Sequence, residues 1–343
     1  MEKTIILVFT MALILSGVLL YNGHPRLPNI RIFLGNQSNV NSNLDVLENM
    51  VFYHPPINAS IHGEYFHEVN KTLLSNLLPA PVSIDKNNIE NFIFVSAANS
   101  KYYGRLTLLV ESIQAHFPAV KLVIYNLGLS NAQLKRMRKW CNVEVHTLNF
   151  AKYPRHVKIL YSYAFKPIVI AEAFKEFQGS GVFWVDSSIR FRNGDISNFQ
   201  DVALHNDGVC AFPHTGHSVY STTPQEMFKF LPMVKNPKEK ECIKATLILL
   251  YKTQPVVDGI LRWWVACALS RTCIYSVHTR FCKFTEDRWN DYAHCSRYDQ
   301  SALSIILYNA FPDMSKAFAP QASTNATIKV QRSGGGGQIK SCE

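Results

Sequence analysis

One short stretch of the sequence ends a buried strand with residues that can do chemistry. Residues 181–191 begin with an apolar run of β-branched and aromatic side chains and continue as Asp186-Ser187-Ser188. Such a run predicts a central strand. In an open α/β sheet, ligands lie beyond the carboxyl ends of the strands, so Asp186 is expected to project into a crevice and act on a bound ligand. The alternative is that Asp186 and the two serines only cap a turn.

Strands and helices alternate ahead of this stretch. Short β-branched and aromatic runs predict strands, and apolar residues spaced three and four apart predict helices. The alternation predicts a parallel, three-layer α/β sheet. The predicted elements are strands at 92–96, 122–125, 143–145 and 181–185, a helix containing Leu106, Leu109, Val110 and Ile113 that ends at Pro118, a helix from the capping box of Ser130 and Gln133 to Trp140, and a helix with Pro167 in its first turn that ends near Phe177.

The second half of the chain is less regular. Thr223-Pro224-Gln225-Glu226 predicts a helix start with Thr223 as N-cap. Apolar residues from Val257 to Ala268 predict a helix, and 299–308 predicts a last amphipathic helix. Cysteines, aromatic residues and charges mix over 272–296, which indicates a disulfide-tied loop region.

Composition narrows the class of protein. The chain has 343 residues, of which 47% are hydrophobic, so it can form a substantial core. Its net charge of +10 is diffuse, without a run of Lys and Arg or a zinc-finger spacing. We therefore expect no nucleic-acid partner and favour a localised anionic ligand.

The N-terminal part predicts a membrane-anchored organisation. Residues 5–21 form an apolar, uncharged segment at the lower limit for a membrane span, which favours an uncleaved signal anchor over a cleaved signal peptide. The segment that follows is rich in Asn, Ser, Pro and His and predicts a stem. The expected organisation is a cytoplasmic tail at 1–4, a transmembrane signal anchor at 5–21, a stem at 22–88, a folded lumenal domain at 89–330 and a Gly-rich tail at 331–343.

Two further features agree with the secretory pathway. N-x-S/T sequons that can accept glycans occur at Asn36, Asn58, Asn70 and Asn325. Eight cysteines are present and none has C-x-x-C spacing, so disulfides are a better interpretation than zinc binding. We expect at least one disulfide among Cys267, Cys273, Cys282 and Cys295.

Several segments occur in the order seen in GT-A glycosyltransferases. They are 95–102, Lys166, 184–188 and 299–301, and their order resembles glycosyltransferase family 8, the glycogenin and galactinol-synthase type. The overall sequence resembles still more an uncharacterised group of membrane-anchored GT-A-like proteins, domain of unknown function 1647. The resemblance covers roughly 91–309. It implies a GT-A-like, nucleotide-diphospho-sugar transferase fold: a three-layer α/β sandwich with a mostly parallel central sheet.

The resemblance implies roles for five residues. Asn99 and Tyr102 match positions that hold the nucleotide base, with the Tyr102 ring stacked on uracil. Lys166 matches a lysine near the sugar diphosphate. Asp299 and Gln300 match a pair that binds the donor sugar through hydrogen bonds. The alternatives are helix-start packing for Tyr102, solvation for Lys166 and a favourable N-terminal helix charge for Asp299.

The implied metal site is incomplete in this sequence. Asp186 matches the first carboxylate of the family's D-x-D motif, which binds Mn²⁺ or Mg²⁺ against the diphosphate. Ser188 stands where the second carboxylate belongs, and the late metal-binding histidine of the family is absent. His214 and His217 could contact an acceptor or replace the missing ligand, or do neither. Metal dependence is therefore left open.

The C-terminal tail retains one further element of the family pattern. Gly337 to Lys340 reads Gly-x-x-Lys, and such a segment could fold over the phosphates of the donor substrate, with Lys340 binding that substrate. The alternative is a flexible Gly-rich tail.

These features predict a glycosyltransferase of the hexosyltransferase type. It would move a sugar from a nucleotide-sugar donor to a glycan or protein acceptor, as a single-pass type II protein of the Golgi or endoplasmic reticulum membrane with a lumenal catalytic domain. One alternative is a catalytically degenerate GT-A-like paralogue that binds nucleotide sugar or glycan. Another is a secreted, disulfide-tied structural protein whose α/β core is only a scaffold.

The predicted anchor and sequons have a direct test. Expressed protein is expected in the membrane fraction because residues 5–21 remain attached, and glycosidase treatment should reduce its mass at Asn36, Asn58 or Asn70. Fractionation and mass spectrometry measure both. Soluble protein that begins after Tyr21 would contradict the anchor.

Overall fold

The computed structural model describes residues 66–213 and 215–342 of the chain. Within these residues, no helix combines the length and the apolar character needed to cross a membrane. The predicted anchor at 5–21 and the sequons at Asn36 and Asn58 lie outside the described residues. Asn70 and Asn325 are described, and both are exposed.

A six-stranded sheet with strand order β3-β2-β1-β4-β7-β6 forms the centre of the fold. The first four strands in this order are mutually parallel, whereas β7 runs antiparallel to both β4 and β6. The predicted mixed α/β architecture with a mostly parallel sheet is confirmed. The strands are β1 Phe92–Ala98, β2 Leu122–Asn126, β3 Val143–Thr147, β4 Gly181–Val185, β5 Ile189–Phe191, β6 Val209–Phe212, β7 Lys244–Tyr251 and β8 Ile328–Val330.

Alternation along the strands sends side chains into two cores. In β4, Val182 and Trp184 lie in the core on one face of the sheet, and Phe183 and Val185 lie in the core on the other. This period of two follows from the pleat of the strand. Strands buried on both faces read as continuous apolar runs, which is why β4 is visible in the sequence.

Helices cover both faces of the sheet. They are α1 Lys71–Leu77, α2 Tyr103–His116, α3 Asn131–Met137, α4 Phe165–Glu176, α5 Ser197–His205, α6 Gln225–Phe230, α7 Arg262–Leu269, α8 Arg271–Ile274, α9 Asp299–Ala310 and α10 Gln321–Thr327. The helices α4, α7 and α9 contribute to the core that contains Trp184, and α2 and α5 contribute to the other core. Three layers therefore form, because each helix has an apolar face to bury against the sheet.

Local sequence signals locate several of the helix ends. Ser130 and Gln133 form the predicted capping box of α3. Thr223 is not the N-cap of α6: Pro224 holds that position without a side-chain hydrogen bond, and the buried Thr223 hydroxyl has no partner in the described structure. The predicted helix at 257–268 begins as a π-helix, Pro255–Leu261, and continues as α7.

The folded domain extends beyond both predicted boundaries. Helix α1 lies within the predicted stem, yet Leu74 and Leu77 are buried in the core and Phe66 contacts the Phe230 ring at 5.3 Å between centroids. The stem boundary at residue 88 is therefore too late. A helix of seven residues can bury its apolar face against the core, but it is too short to give more than a weak periodic signal in the sequence.

Three disulfides form within the described residues. Cys267–Cys273 and Cys282–Cys295 confirm the expectation for those four cysteines. The third, Cys141–Cys342, links residues 201 positions apart. Cys210 and Cys242 are free and buried.

The Gly-rich tail packs along helix α2. A Cβ on Gly335 would lie 3.2 Å from the Cα of Gly104, so the absence of side chains lets the two backbones approach closely. Gly337 donates its N–H to the Thr107 hydroxyl at 3.3 Å. The Cys141–Cys342 disulfide secures the end of the tail. The alternative of a flexible tail is wrong for this segment, because tertiary contacts replace the missing local signal.

Gly337→Ala is expected to detach the tail. The added Cβ would lie 2.5 Å from the Thr107 carbonyl oxygen, a backbone atom that cannot rotate away. We expect a loss of about 1–3 kcal/mol in the free energy of unfolding and faster proteolysis of the tail. Urea unfolding and limited proteolysis without reductant measure these effects. Gly259→Ala, where the new Cβ meets no atom within 4 Å, is the control. Equal behaviour of the two variants would contradict the close packing.

Candidate active site

Asp186 lies at the carboxyl end of β4 on the face that carries Trp184. Trp184 Nε1 donates a hydrogen bond of 2.8 Å to Asp186 Oδ1, which fixes the carboxylate. The Asp186 backbone N–H donates to Thr246 O at 2.8 Å, which continues the β4–β7 ladder. A quarter of the Asp186 side chain is exposed, and its Oδ2 has no hydrogen-bond partner in the described structure. One oxygen is thus held by the protein and the other is available to a ligand.

Lys166 on α4 provides the cation for this carboxylate. Its ammonium Nζ lies 3.4 Å from Asp186 Oδ1 and 2.8 Å from Asp299 Oδ2, and it donates to Ala245 O at 2.7 Å. Only 2% of Lys166 is exposed. The Lys166 ammonium therefore makes one hydrogen bond, to the Ala245 carbonyl, and ion pairs with both carboxylates.

Asp299 approaches Lys166 from the first turn of α9. Trp264 Nε1 donates to the backbone oxygen of Asp299 at 3.0 Å, and only 3% of Asp299 is exposed. Asp186 and Asp299 therefore converge on one ammonium, as two sides of a shared site. Asp299 is buried and contacts Lys166, whereas Asp186 is partly exposed and can contact a ligand.

The pKa values of Lys166 and Asp299 reflect two carboxylates that share one cation. Burial works to lower the pKa of Lys166, but the charges of Asp186 and Asp299 outweigh it and raise that pKa. Burial raises the pKa of Asp299 to about 6, with Lys166 acting against the rise and the like charge of Asp186 adding to it. Lys166 is thus charged at neutral pH, and Asp299 is the group that a proton can neutralise.

Two residues with left-handed backbone stand just before the elements that carry the triad. Tyr163 has φ of 55° ahead of α4, and Tyr298 has φ of 47° ahead of α9. Bulky residues rarely adopt this region, and each instance costs about 1–3 kcal/mol. The Tyr163 ring lies 5.4 Å from Lys166 Nζ. The strain sets the directions from which Lys166 and Asp299 enter the site.

Asn99 and Tyr102 lie at the carboxyl end of the neighbouring strand β1. Asn99 Oδ1 accepts the Lys101 N–H at 3.1 Å and so caps a short 3-10 turn. Tyr102 follows on that turn, immediately before α2. Because β1 and β4 are parallel neighbours, with Val95 beside Trp184, both residues lie at the same edge of the sheet as Asp186.

The donor set at Asp186 does not fit a divalent cation. Mn²⁺ and Mg²⁺ need several oxygen ligands, whereas Asp186 Oδ1 and Asp299 Oδ2 both contact the Lys166 ammonium and only Asp186 Oδ2 is left for a ligand. Ser188 is buried and is bound through its carbonyl oxygen to the Gln331 N–H at 2.7 Å. In the part of the chain that the structure describes, no group of three or more His, Cys, Asp or Glu side chains is placed to hold a metal.

Gln300 and His217 belong to a separate buried polar cluster. Gln300 Nε2 donates to Cys242 Sγ at 3.3 Å, and Thr222 Oγ1 lies 3.5 Å from His217 Nδ1 and 3.9 Å from Cys242 Sγ. Burial lowers the pKa of His217 and keeps the ring neutral. The structure therefore places His217 in the cluster with Gln300 of α9 and not beside Asp186. His214 lies outside the described residues.

Lys340 is placed at the far end of α2. Its backbone N–H donates to Gln114 Oε1 at 2.7 Å, and its carbonyl oxygen accepts the Cys141 N–H at 3.0 Å. Gln114 is in the last turn of α2, whereas the Tyr102 edge is at the beginning. The structure does not bring Lys340 together with Asp186, because the tail follows the helix away from that edge.

Sequence reasoning missed three residues of the site. Trp184 could have been found, because residues two apart in a strand share a face and Trp184 precedes Asp186 by two. Tyr163 and Arg280 carried no local signal. Arg280 Nη1 donates to Tyr163 Oη at 3.3 Å. Burial works to lower the pKa of Arg280, and the neighbouring Tyr163 and Tyr102 side chains raise it. Arg280 therefore lies close to both the triad edge and the β1 edge, just ahead of the Cys282–Cys295 disulfide in the sequence.

Part of the chain matches a described family. Residues 48–171 match the family described as a protein of unknown function, DUF1647. The resemblance to this group is confirmed over that segment, which includes Asn99, Tyr102 and Lys166. No curated protein matches the chain.

Several solved glycosyltransferase structures are similar to part of the chain at low identity. An active-site mutant of LgtC is 18% identical, with 54% of this chain and 61% of that chain covered and a TM-score of 0.32. The bifunctional glycosyltransferase WbbM is 17% identical, with 57% of this chain and 39% of that chain covered and a TM-score of 0.38. The glycosyltransferase GlyE of Streptococcus pneumoniae is 12% identical, with 68% of this chain and 46% of that chain covered and a TM-score of 0.39. The chain thus spans less than two thirds of each of these proteins, and TM-scores this low carry no argument about activity.

The pKa of Asp299 predicts a pH-dependent stability. The folded state binds the Asp299 proton more tightly than the unfolded state, so this contribution is full below the unfolded pKa of about 4 and is lost as the pH rises through about 6. Relative to Asp299→Asn, the wild type should lose up to about 3 kcal/mol of unfolding free energy between these values. Urea unfolding at pH 4.5 and 7.5 measures the difference. Parallel pH profiles for the two proteins would show that Asp299 has no raised pKa.

Proposed function

We propose that this chain transfers a sugar from a nucleotide-sugar donor to a hydroxyl of a glycan or protein acceptor. The observation that carries the proposal is the convergence of Asp186 and Asp299 on Lys166 at the carboxyl end of β4. Ligand sites of open α/β sheets lie at this edge. The order of the motifs along the chain supports the same reading, and the likeness to family 8 suggests a hexose as the transferred sugar.

Asp186 is the residue with an oxygen free to react. In the proposed step, the bond between the sugar carbon and the diphosphate breaks and its electron pair stays on the diphosphate oxygen. The acceptor hydroxyl oxygen bonds to that carbon, and its proton passes to Oδ2 of Asp186. Trp184 and Lys166 hold the other oxygen of Asp186, so the carboxylate is oriented before the substrate arrives.

Binding without turnover is the second candidate function. It is favoured by Ser188 in place of a carboxylate and by the lack of a complete metal-ligand set in the described residues. The triad of Lys166, Asp186 and Asp299 can still position a nucleotide sugar through hydrogen bonds without a metal. Donor binding that saturates while no nucleoside diphosphate is released would select this function over transfer. A structural protein would do neither.

The location of the protein is part of the proposal. The apolar segment at 5–21 and the sequons support a type II protein of the Golgi or endoplasmic reticulum membrane, with the described domain in the lumen. The three disulfides suit an oxidising lumen.

Asp186→Asn is the decisive substitution for transfer. The amide keeps an oxygen that can accept the Trp184 hydrogen bond but removes the charge and the proton acceptor, so we expect release of nucleoside diphosphate to fall about 10²–10⁴-fold while the thermal midpoint changes little. A coupled assay across nucleotide-sugar donors, with and without Mn²⁺, measures turnover. Asp201→Asn, at an exposed helix position, is the control. Equal turnover in both variants would end the assignment of Asp186.

A further inference from the structure

Lys166 is poorly placed to bind the diphosphate of a donor. It is only 2% exposed, it donates to Ala245 O, and its charge is shared by Asp299 Oδ2 at 2.8 Å and Asp186 Oδ1 at 3.4 Å. With two carboxylates and one ammonium, the triad carries a net negative charge when Asp299 is ionised. A diphosphate that bound beside it would be repelled unless other cations were present.

Such cations surround the ring of Tyr102. The Arg105 guanidinium lies 5.3 Å and the Lys101 ammonium 6.0 Å from the ring centroid. Arg280 is also near: burial works to lower its pKa, and the neighbouring Tyr163 and Tyr102 side chains raise it. We call Lys101, Arg105 and Arg280 the Tyr102 cation cluster. The cluster reaches the triad, because Arg280 also donates to the Tyr163 hydroxyl and the Tyr163 ring faces Lys166.

The positive charge of this cluster is not compensated. Within residues 66–213 and 215–342, no carboxylate lies within 4.0 Å of a nitrogen of the three side chains; the ion pairs found there involve other residues. Burial lowers the pKa of a fourth guanidinium, that of Arg190; the Glu111 charge opposes this shift and the Arg105 charge adds to it. Its Nε and Nη2 have no partner in the described structure. Because no carboxylate pairs with the three cations of the cluster, the arrangement attracts an anion.

The geometry points to the Tyr102 cation cluster as the binding site of the donor diphosphate, in place of a divalent cation. Arg280 is the member of the cluster nearest to the triad. Its guanidinium would therefore stabilise the negative charge that develops on the leaving diphosphate oxygen. A guanidinium can donate two hydrogen bonds to one phosphate and remains charged at all physiological pH values. This inference rests on the proposed function for the identity of the anion, but binding of the anion can be measured without turnover.

The test is metal-free binding of diphosphate to the full-length chain. Calorimetry with inorganic pyrophosphate and with a nucleoside diphosphate, in excess EDTA, should show binding to the wild type. Arg280→Gln and Arg105→Gln should each weaken it about tenfold or more, because each removes a charged donor. Arg280→Lys keeps the charge without the planar fork and should fall between wild type and Arg280→Gln.

Arg192→Gln is the matched control. It removes one guanidinium and one charge from an exposed side chain that donates to Asn325 O at 3.2 Å, outside the cluster, so affinity should stay within twofold or so of the wild type. Unliganded thermal midpoints show whether each variant is folded. Equal affinity of Arg280→Gln, Arg105→Gln and Arg192→Gln would overturn the inference.

Two further outcomes separate this inference from the proposed function. Binding of both anions only when Mn²⁺ is present, or no binding at all, would overturn the cation cluster even if the protein turns over a donor. Metal-free binding that depends on Arg280 and Arg105, in a protein that releases no nucleoside diphosphate from any donor, would support the cluster and overturn transfer.

Discussion

The buried ion triad of Lys166, Asp186 and Asp299 is the interaction on which the described fold depends most. It joins helix α4, the end of β4 and the start of α9, which are far apart in the sequence, and Ala245 O adds β7. Burying these charges costs several kcal/mol per ion. The cost is offset by the ion pairs with Lys166, because the loss of Lys166 would leave the buried Asp299 carboxylate without a cation. The triad therefore fixes the relative positions of these elements whether or not they bind a substrate.

The sheet order determines what the triad can face. Because β1 and β4 are parallel neighbours, the turn that carries Asn99 and Tyr102 opens at the same edge as Asp186. The antiparallel β7 delivers a carbonyl oxygen to Lys166 at that edge. Arg280 then donates to Tyr163 and lies near Tyr102. A negatively charged centre and a positively charged rim thus lie side by side, which suits a ligand with a sugar at one end and phosphates at the other.

Two disulfides stabilise segments that lack long helices and strands. The Cys282–Cys295 disulfide closes a loop that begins just after Arg280, and the Cys141–Cys342 disulfide ends a tail that lies against α2 through glycines. Neither segment has a helix or strand long enough to dock by burial alone. Disulfides that close long loops restrict the unfolded chain most, so the link over 201 positions is the more stabilising of the two in the chain-entropy account.

Local signals in the sequence determined the elements and the edge of the site. The apolar run of β4, the capping box of α3 and the position of Asp186 after β4 depend on residues within one turn or strand of each other, so they could be predicted. The contacts between distant residues could not. That Lys166 meets both carboxylates, that Gln300 faces Cys242, that Lys340 lies at the far end of α2 and that Arg280 donates to Tyr163 were decided by the tertiary structure. These contacts join residues tens to hundreds of positions apart, and they depend on strand order and loop closure, which no local pattern encodes.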